Sequence, residues 1–187
     1  MPPVVPDVTY AADIAPASRL VSDYGFAVIR KALTDAGMTA GKITSTLRFP
    51  AEQAAIMHRN AKADLTAQFR MYGATGDEVL KVFKAHAKEP DADVIALMTA
   101  KIEELLGKGR LVSRHVVDPA RYARLNVIDI GVKSTRAVAG SSFDLPALTK
   151  AFQKLKDGGY IAHFIDETKK SNSCWHIEVK PNAKALT

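Results

Sequence analysis

The sequence predicts an α+β fold, with a helical N-terminal half packed on a small, mostly antiparallel sheet that carries a metal-type site. Three observations lead there. Helical periodicity dominates the first 107 or so residues. Short runs rich in branched residues follow it, and one strongly capped helix interrupts those runs. Helices first and strands afterwards is the order of an α+β domain rather than of alternating β-α-β units.

The elements follow in chain order. Residues 1–18, rich in proline and alanine, read as an extended arm. Leu20, Val21, Tyr24, Val28 and Leu33 recur at three- and four-residue steps, and Gly37 suits the stop of that first helix. "KITSTLRFP" reads as a short strand or loop. Pro50 marks the start of a second helix, because the first turn of a helix tolerates proline. "GDEVLKVFKAHAKE" and "DADVIALMTAKIEELLGKG" predict two more, joined at Pro90 and closed at Gly107. "RLVSRHV" and "RLNVIDIG" read as strands. "FDLPALTKAFQKLKDGG" reads as a helix with Asp144 as its cap and Gly158–Gly159 as its end. "GYIAHFID" and "SCWHIEV" then predict a hairpin around the polar loop "ETKKSNS". The expected domain plan is an arm over 1–18 and one domain over 19–187, with a helical elaboration at about 50–107.

Composition narrows the function classes. The 187 residues carry 26 basic and 20 acidic side chains, a formal charge of +6 that favours anionic partners. The basic residues are dispersed, with no clustered patch and no aromatic stacking motif, which argues against nucleic acid as a partner. A single cysteine, Cys174, rules out an intramolecular disulfide. The N-terminus lacks a basic leader region and a continuous apolar stretch. No apolar run approaches the roughly 20 residues of a membrane-spanning helix. The expectation is therefore a protein made in the cytoplasm without a signal peptide, with no membrane partner.

Five histidines are present. His58 and His86 lie among charged and small residues of helical stretches and read as structural. His115, His163 and His176 fall in the strand-rich half. A catalytic zinc takes three ligands from His, Asp or Glu and keeps a fourth position for water. "VSRHV", "NVIDIG" and "CWHIE" each place one such residue in an otherwise apolar run. Asp129, between Ile128 and Ile130, needs a partner, because a buried unpaired charge is costly. A metal and an arginine both satisfy that need.

"ITSTLRFPAEQ" resembles the S-x-x-R-s-x-x-x-Q stretch of the zinc D-alanyl-D-alanine peptidases. That family includes carboxypeptidases and the phage L-alanoyl-D-glutamate endopeptidases, with a Hedgehog-like peptidase fold. "SRH" resembles the start of the family's S-x-H-x-x-G-x-A-x-D motif, "NVIDIG" its end, and "CWHIE" its E-x-W-H element. The matches run in the family's order from Ser45 to Glu178. The resemblance implies zinc bound by His115, Asp129 and His176. It places Arg48 against the substrate or the developing oxyanion, with Ser45 and Gln53 in supporting positions. A salt bridge is the alternative role for Arg48.

Two departures stand out. The family's aspartate comes seven residues after the histidine, where this chain has Tyr122; Asp129 comes fourteen after His115, so "DPARYAR" reads as an inserted loop. The family's catalytic glutamate, three residues before the second histidine, is Ser173 here. Asp166 or Glu167, across the proposed hairpin, is the candidate substitute. The implied function is a zinc peptidase acting on the stem peptides of peptidoglycan, associated with phage. The alternative is a catalytically impaired structural or binding component of a phage particle that keeps the peptidase fold and contacts other virion proteins through the N-terminal arm.

Overall fold

The structure is a computed structural model that describes residues 5–181 and 184–186. The chain forms two compact units: one comprises residues up to Leu47 together with those from Pro119 onward, the other Arg48–Asp118. The architecture is α+β, as expected.

The first unit is built on a five-stranded sheet of order β1-β2-β3-β5-β4. Its strands are β1 (Asp7–Tyr10), β2 (Ala40–Ser45), β3 (Asn126–Gly131), β4 (His163–Asp166) and β5 (Cys174–Val179). All neighbours pair antiparallel except β1 and β2, which run parallel. A parallel neighbour needs a crossover, supplied by α1 (Asp23–Asp35). Ser22 caps α1 by accepting from the Gly25 N–H at 3.1 Å, and its own hydroxyl donates to Asn126 Oδ1 at 2.6 Å. Gly37, with φ +69°, supplies the left-handed residue that ends the helical region. α7 (Leu145–Asp157) opens on Asp144, whose carboxylate accepts from the Ala147 N–H at 2.9 Å, as the sequence predicts.

Alternation sorts the strands into two faces. Ile128, Ile130, Trp175 and Ile177 are fully buried and pack with Val28, Ile29 and Leu33 of α1 and with Leu148 and Phe152 of α7. The opposite face carries Val127, Asp129 and Gly131 on β3 and Cys174, His176 and Glu178 on β5, all buried and paired across the two strands.

The second unit is helical: α2 (Pro50–Met71), α3 (Ala74–His86) and α4 (Asp91–Gly107). Its core joins Met57, Leu80, Phe83, Met98, Ile102 and Leu105. α2 breaks at Asp64, where the backbone is extended and the carboxylate accepts from the Ala67 N–H at 2.8 Å. That aspartate therefore restarts the helix as an internal cap. His58 is buried edge-on to Phe83 with Nε2 3.5 Å from Asp91, and His86 lies 2.7 Å from Glu89.

Several elements differ from expectation. "RLVSRHV" forms no strand: its Val112 and Val116 are buried in the helical core instead of pairing in the sheet. A short branched run serves either purpose, and local pattern does not choose between them. "DPARYAR" is not a loop but α5 (Pro119–Arg124), which buries Tyr122. α6 (Val132–Ala139) was not foreseen in "VKSTRAVA". Within the arm over 1–18, Asp7–Tyr10 is a strand of the chain's own sheet and buries Val8, and Pro16–Ser18 forms a single turn. Of "GYIAHFID", only His163–Asp166 is strand.

Candidate metal centre

β3 and β5 place the first two candidate ligands. Asp129 and His176 are directly opposed in register, and Oδ1 of the aspartate lies 2.8 Å from Nδ1 of the histidine. Ser45, at the end of β2, is the registered partner of Asp129 on the other side and is buried. Ser45, Asp129 and His176 thus form one row across three strands.

His115 lies on the irregular segment after α4. The segment turns at Ser113, whose carbonyl accepts from the Val116 N–H at 3.1 Å, and the Arg48 N–H donates to the His115 carbonyl at 2.9 Å. His115, Asp129 and His176 come together: one ligating atom from each lies within 4.8 Å of the others. This bound is wider than the roughly 4 Å that metal bonds near 2.0–2.2 Å imply. The three are almost wholly buried, at 5, 9 and 6 % exposure.

The donor chemistry fits a divalent cation. Two imidazoles and one carboxylate form the three-ligand set of an open zinc site. A tetrahedral ion holds neighbouring donor atoms about 3.4 Å apart. No metal identity follows from the set alone, since imidazole also suits copper, iron and nickel.

The electrostatics around His176 involve a second carboxylate. Glu178 lies two positions along β5 on the same face, with Oε1 3.4 Å from His176 Nε2 and 8 % exposure. Burial alone lowers the His176 pKa, but hydrogen bonds and charge from Asp129 and then Glu178 outweigh it, so the ring is held above its usual 6.5. The signal for Glu178 was present in the sequence as a carboxylate at i+2 from a strand histidine, a spacing that puts both on one face.

Arg48 and Gln53 are also joined, in the helical unit. Arg48 Nη1 donates to Gln53 Oε1 at 3.1 Å, and Gln53 Nε2 donates to the Tyr72 hydroxyl at 2.9 Å. Burial raises the Tyr72 pKa, against the Arg48 charge and the Gln53 hydrogen bond.

Ser173 sits just before β5 in a turn, with φ +43°, the left-handed region that L-residues other than glycine and asparagine rarely occupy. Its N–H donates to the Lys170 carbonyl at 3.0 Å and its hydroxyl to the Thr168 carbonyl at 3.4 Å. The proposed substitutes are engaged in the same loop. Asp166 accepts from the Thr168 N–H and hydroxyl, and its register partner is Trp175, which puts it on the face away from His176. Glu167 holds Lys170 at 3.0 Å, Asn172, and the Cys174 thiol at 3.8 Å. Tyr122, seven residues after His115, is buried, with its hydroxyl 2.5 Å from Thr46 Oγ1 and donating to the Val127 carbonyl at 3.2 Å. Burial raises its pKa, so it stays protonated at neutral pH.

Among the described residues, no helix is long and apolar enough to cross a membrane. Comparison with known protein families, curated proteins and solved structures returns no match for this chain.

Proposed function

We propose that the protein is a zinc-dependent, peptidase-like protein of the class that cleaves the stem peptides of peptidoglycan, and that it is phage-associated. The observation that supports this reading is the convergence of His115, Asp129 and His176, three residues distant in sequence whose order follows the family's motifs. Zinc held by them would supply a Lewis acid and a water acidified to a pKa near 7. Asp129 and His176 hold their side of the centre rigidly, since both stand on paired central strands. Arg48, oriented by Gln53, offers a guanidinium suited to a substrate carboxylate through paired hydrogen bonds.

One observation favours the second reading, a virion component with little or no turnover. Ser173 occupies the position of the family's proton-shuttling glutamate, and its hydroxyl is turned to the Thr168 carbonyl. A hydroxyl is no base at neutral pH, and loss of a positioned acid–base group costs about 10²–10⁴-fold in rate.

Purified protein, assayed for zinc content and for release of fragments from muropeptides, tests both readings. The peptidase reading expects about one zinc per chain together with cleavage that a chelator abolishes. Zinc binding without cleavage, unrelieved by Ser173→Glu, selects the structural reading. That variant also carries a backbone cost of about 1–2 kcal/mol for a bulkier residue in the left-handed region, so its folding is checked by circular dichroism.

A further inference from the structure

The imidazole of His176 lies between two buried carboxylates, Asp129 on its Nδ1 side at 2.8 Å and Glu178 on its Nε2 side at 3.4 Å. Only one of the two ring nitrogens can bind a metal, and the other then carries the proton and needs an acceptor. Asp129 belongs to the ligand cluster; Glu178 does not. The ring nitrogen beside the fellow ligand is therefore the one turned to the ion, and the nitrogen beside Glu178 is the one that donates.

We propose that Glu178 is the positioning carboxylate of this centre: it accepts the Nε2–H of His176 and thereby commits the ring to bind metal through Nδ1. The proposal rests on the metal-centre reading above and adds to it a residue and a ligand atom. The fold supports the assignment independently of any ion. Glu178 stands on the interior strand β5, paired to Val127 on β3 and to His163 on β4, so its backbone is fixed on both sides. Its separation of two residues from His176 puts both side chains on one face. Hydrogen-bonded carboxylates behind ligand histidines orient the ring and raise its basicity, and their loss typically weakens metal affinity by about 10–100-fold.

The test uses the full chain and zinc itself. Zinc affinity is measured by competition with a chromophoric chelator for the wild type, Glu178→Ala and Glu178→Gln. The His176 tautomer is read from long-range ¹H–¹⁵N NMR spectra of the zinc-loaded wild type. The expected results are Nδ1 ligation with a protonated Nε2, an affinity about 10–100-fold weaker in Glu178→Ala, and an intermediate loss in Glu178→Gln, whose amide oxygen still accepts. Nε2 ligation in the wild type overturns the proposal without reference to any variant. So does a folded Glu178→Ala protein that binds zinc within about twofold of the wild type. If Glu178→Ala fails to fold, Glu178→Gln decides, and an unchanged affinity there rejects the role. Absence of zinc binding by the wild type rejects the metal centre and the proposal with it, whereas wild-type binding with an indifferent Glu178 rejects the proposal alone.

Discussion

The two faces of the central sheet come from the same strands, yet alternate residues perform opposite tasks. On β5, Trp175 and Ile177 point into the layer of α1 and α7, while His176 and Glu178 point the other way. On β3, Ile128 and Ile130 join the first set and Asp129 the second. The apolar face gains its stability from packing: Trp175 is fully buried against Phe152 and donates from Nε1 to Thr149 at 2.7 Å. The polar face buries charge that only mutual pairing or a cation can support, and unpaired buried charge costs several kcal/mol. A strand shifted by one residue would exchange the two sets, so the packing of the first face is what aims the ligands of the second.

The largest effect should come from attacking the packed face. Trp175→Ala opens a cavity at the centre of the core and removes the hydrogen bond to Thr149. Destabilisation of about 3–5 kcal/mol is expected in urea unfolding, with metal binding lost only in so far as the fold is lost. Substitution on the ligand face should behave in the reverse way. Asp129→Asn keeps volume and removes the ligand charge, so the zinc-dependent rise in stability disappears. The rise expected for the wild type is about 2.7 kcal/mol when free zinc is a hundredfold above the dissociation constant. Thermal scans with and without zinc distinguish the two variants.

A smaller effect sharpens the electrostatic side of the comparison. In metal-free protein, the raised His176 pKa means that the folded state holds its proton more tightly than the unfolded chain does. The resulting stabilisation is complete below the unfolded value near 6.5 and is lost as pH rises through the higher folded value. Unfolding in the presence of a chelator should therefore show wild-type stability falling from about pH 6 upward, more steeply than in Asp129→Asn. The apolar-face variant Trp175→Ala should keep the wild-type slope. The smallest effect belongs to Cys174. It shares the face of His176, but its thiol is engaged with Glu167 and it lies outside the ligand cluster. Cys174→Ala should leave zinc content unchanged; lost metal would mean that the ligand set is wrong.

Much of this division was legible in the sequence. Alternation in "NVIDIG" and "CWHIE" separates ligand-type from apolar residues by pattern alone, and Asp144 and Gly37 mark helix ends by their chemistry. What stayed hidden depended on contacts distant in sequence. Val112 and Val116 look like strand residues, but the helical core claims them. Asp7–Tyr10 is too short and too close to prolines to read as a strand, and becomes one through pairing with β2. Ser173 and His176 are three residues apart, yet Ser173 is the left-handed residue that closes the loop just before β5, so the serine follows the loop rather than the strand that carries His176. Glu178 was visible two residues from His176, but its approach to the second ring nitrogen required the side-chain geometry.

The proposed function requires that His115, Asp129 and His176 together hold one divalent metal ion. Elemental analysis of the protein after zinc loading and exhaustive removal of excess metal, compared with His115→Ala, Asp129→Asn and His176→Ala, tests it most directly. The expected result is about one zinc per wild-type chain and little or none in each folded variant. A wild-type protein without tightly held metal, or one whose zinc survives all three substitutions, would contradict it.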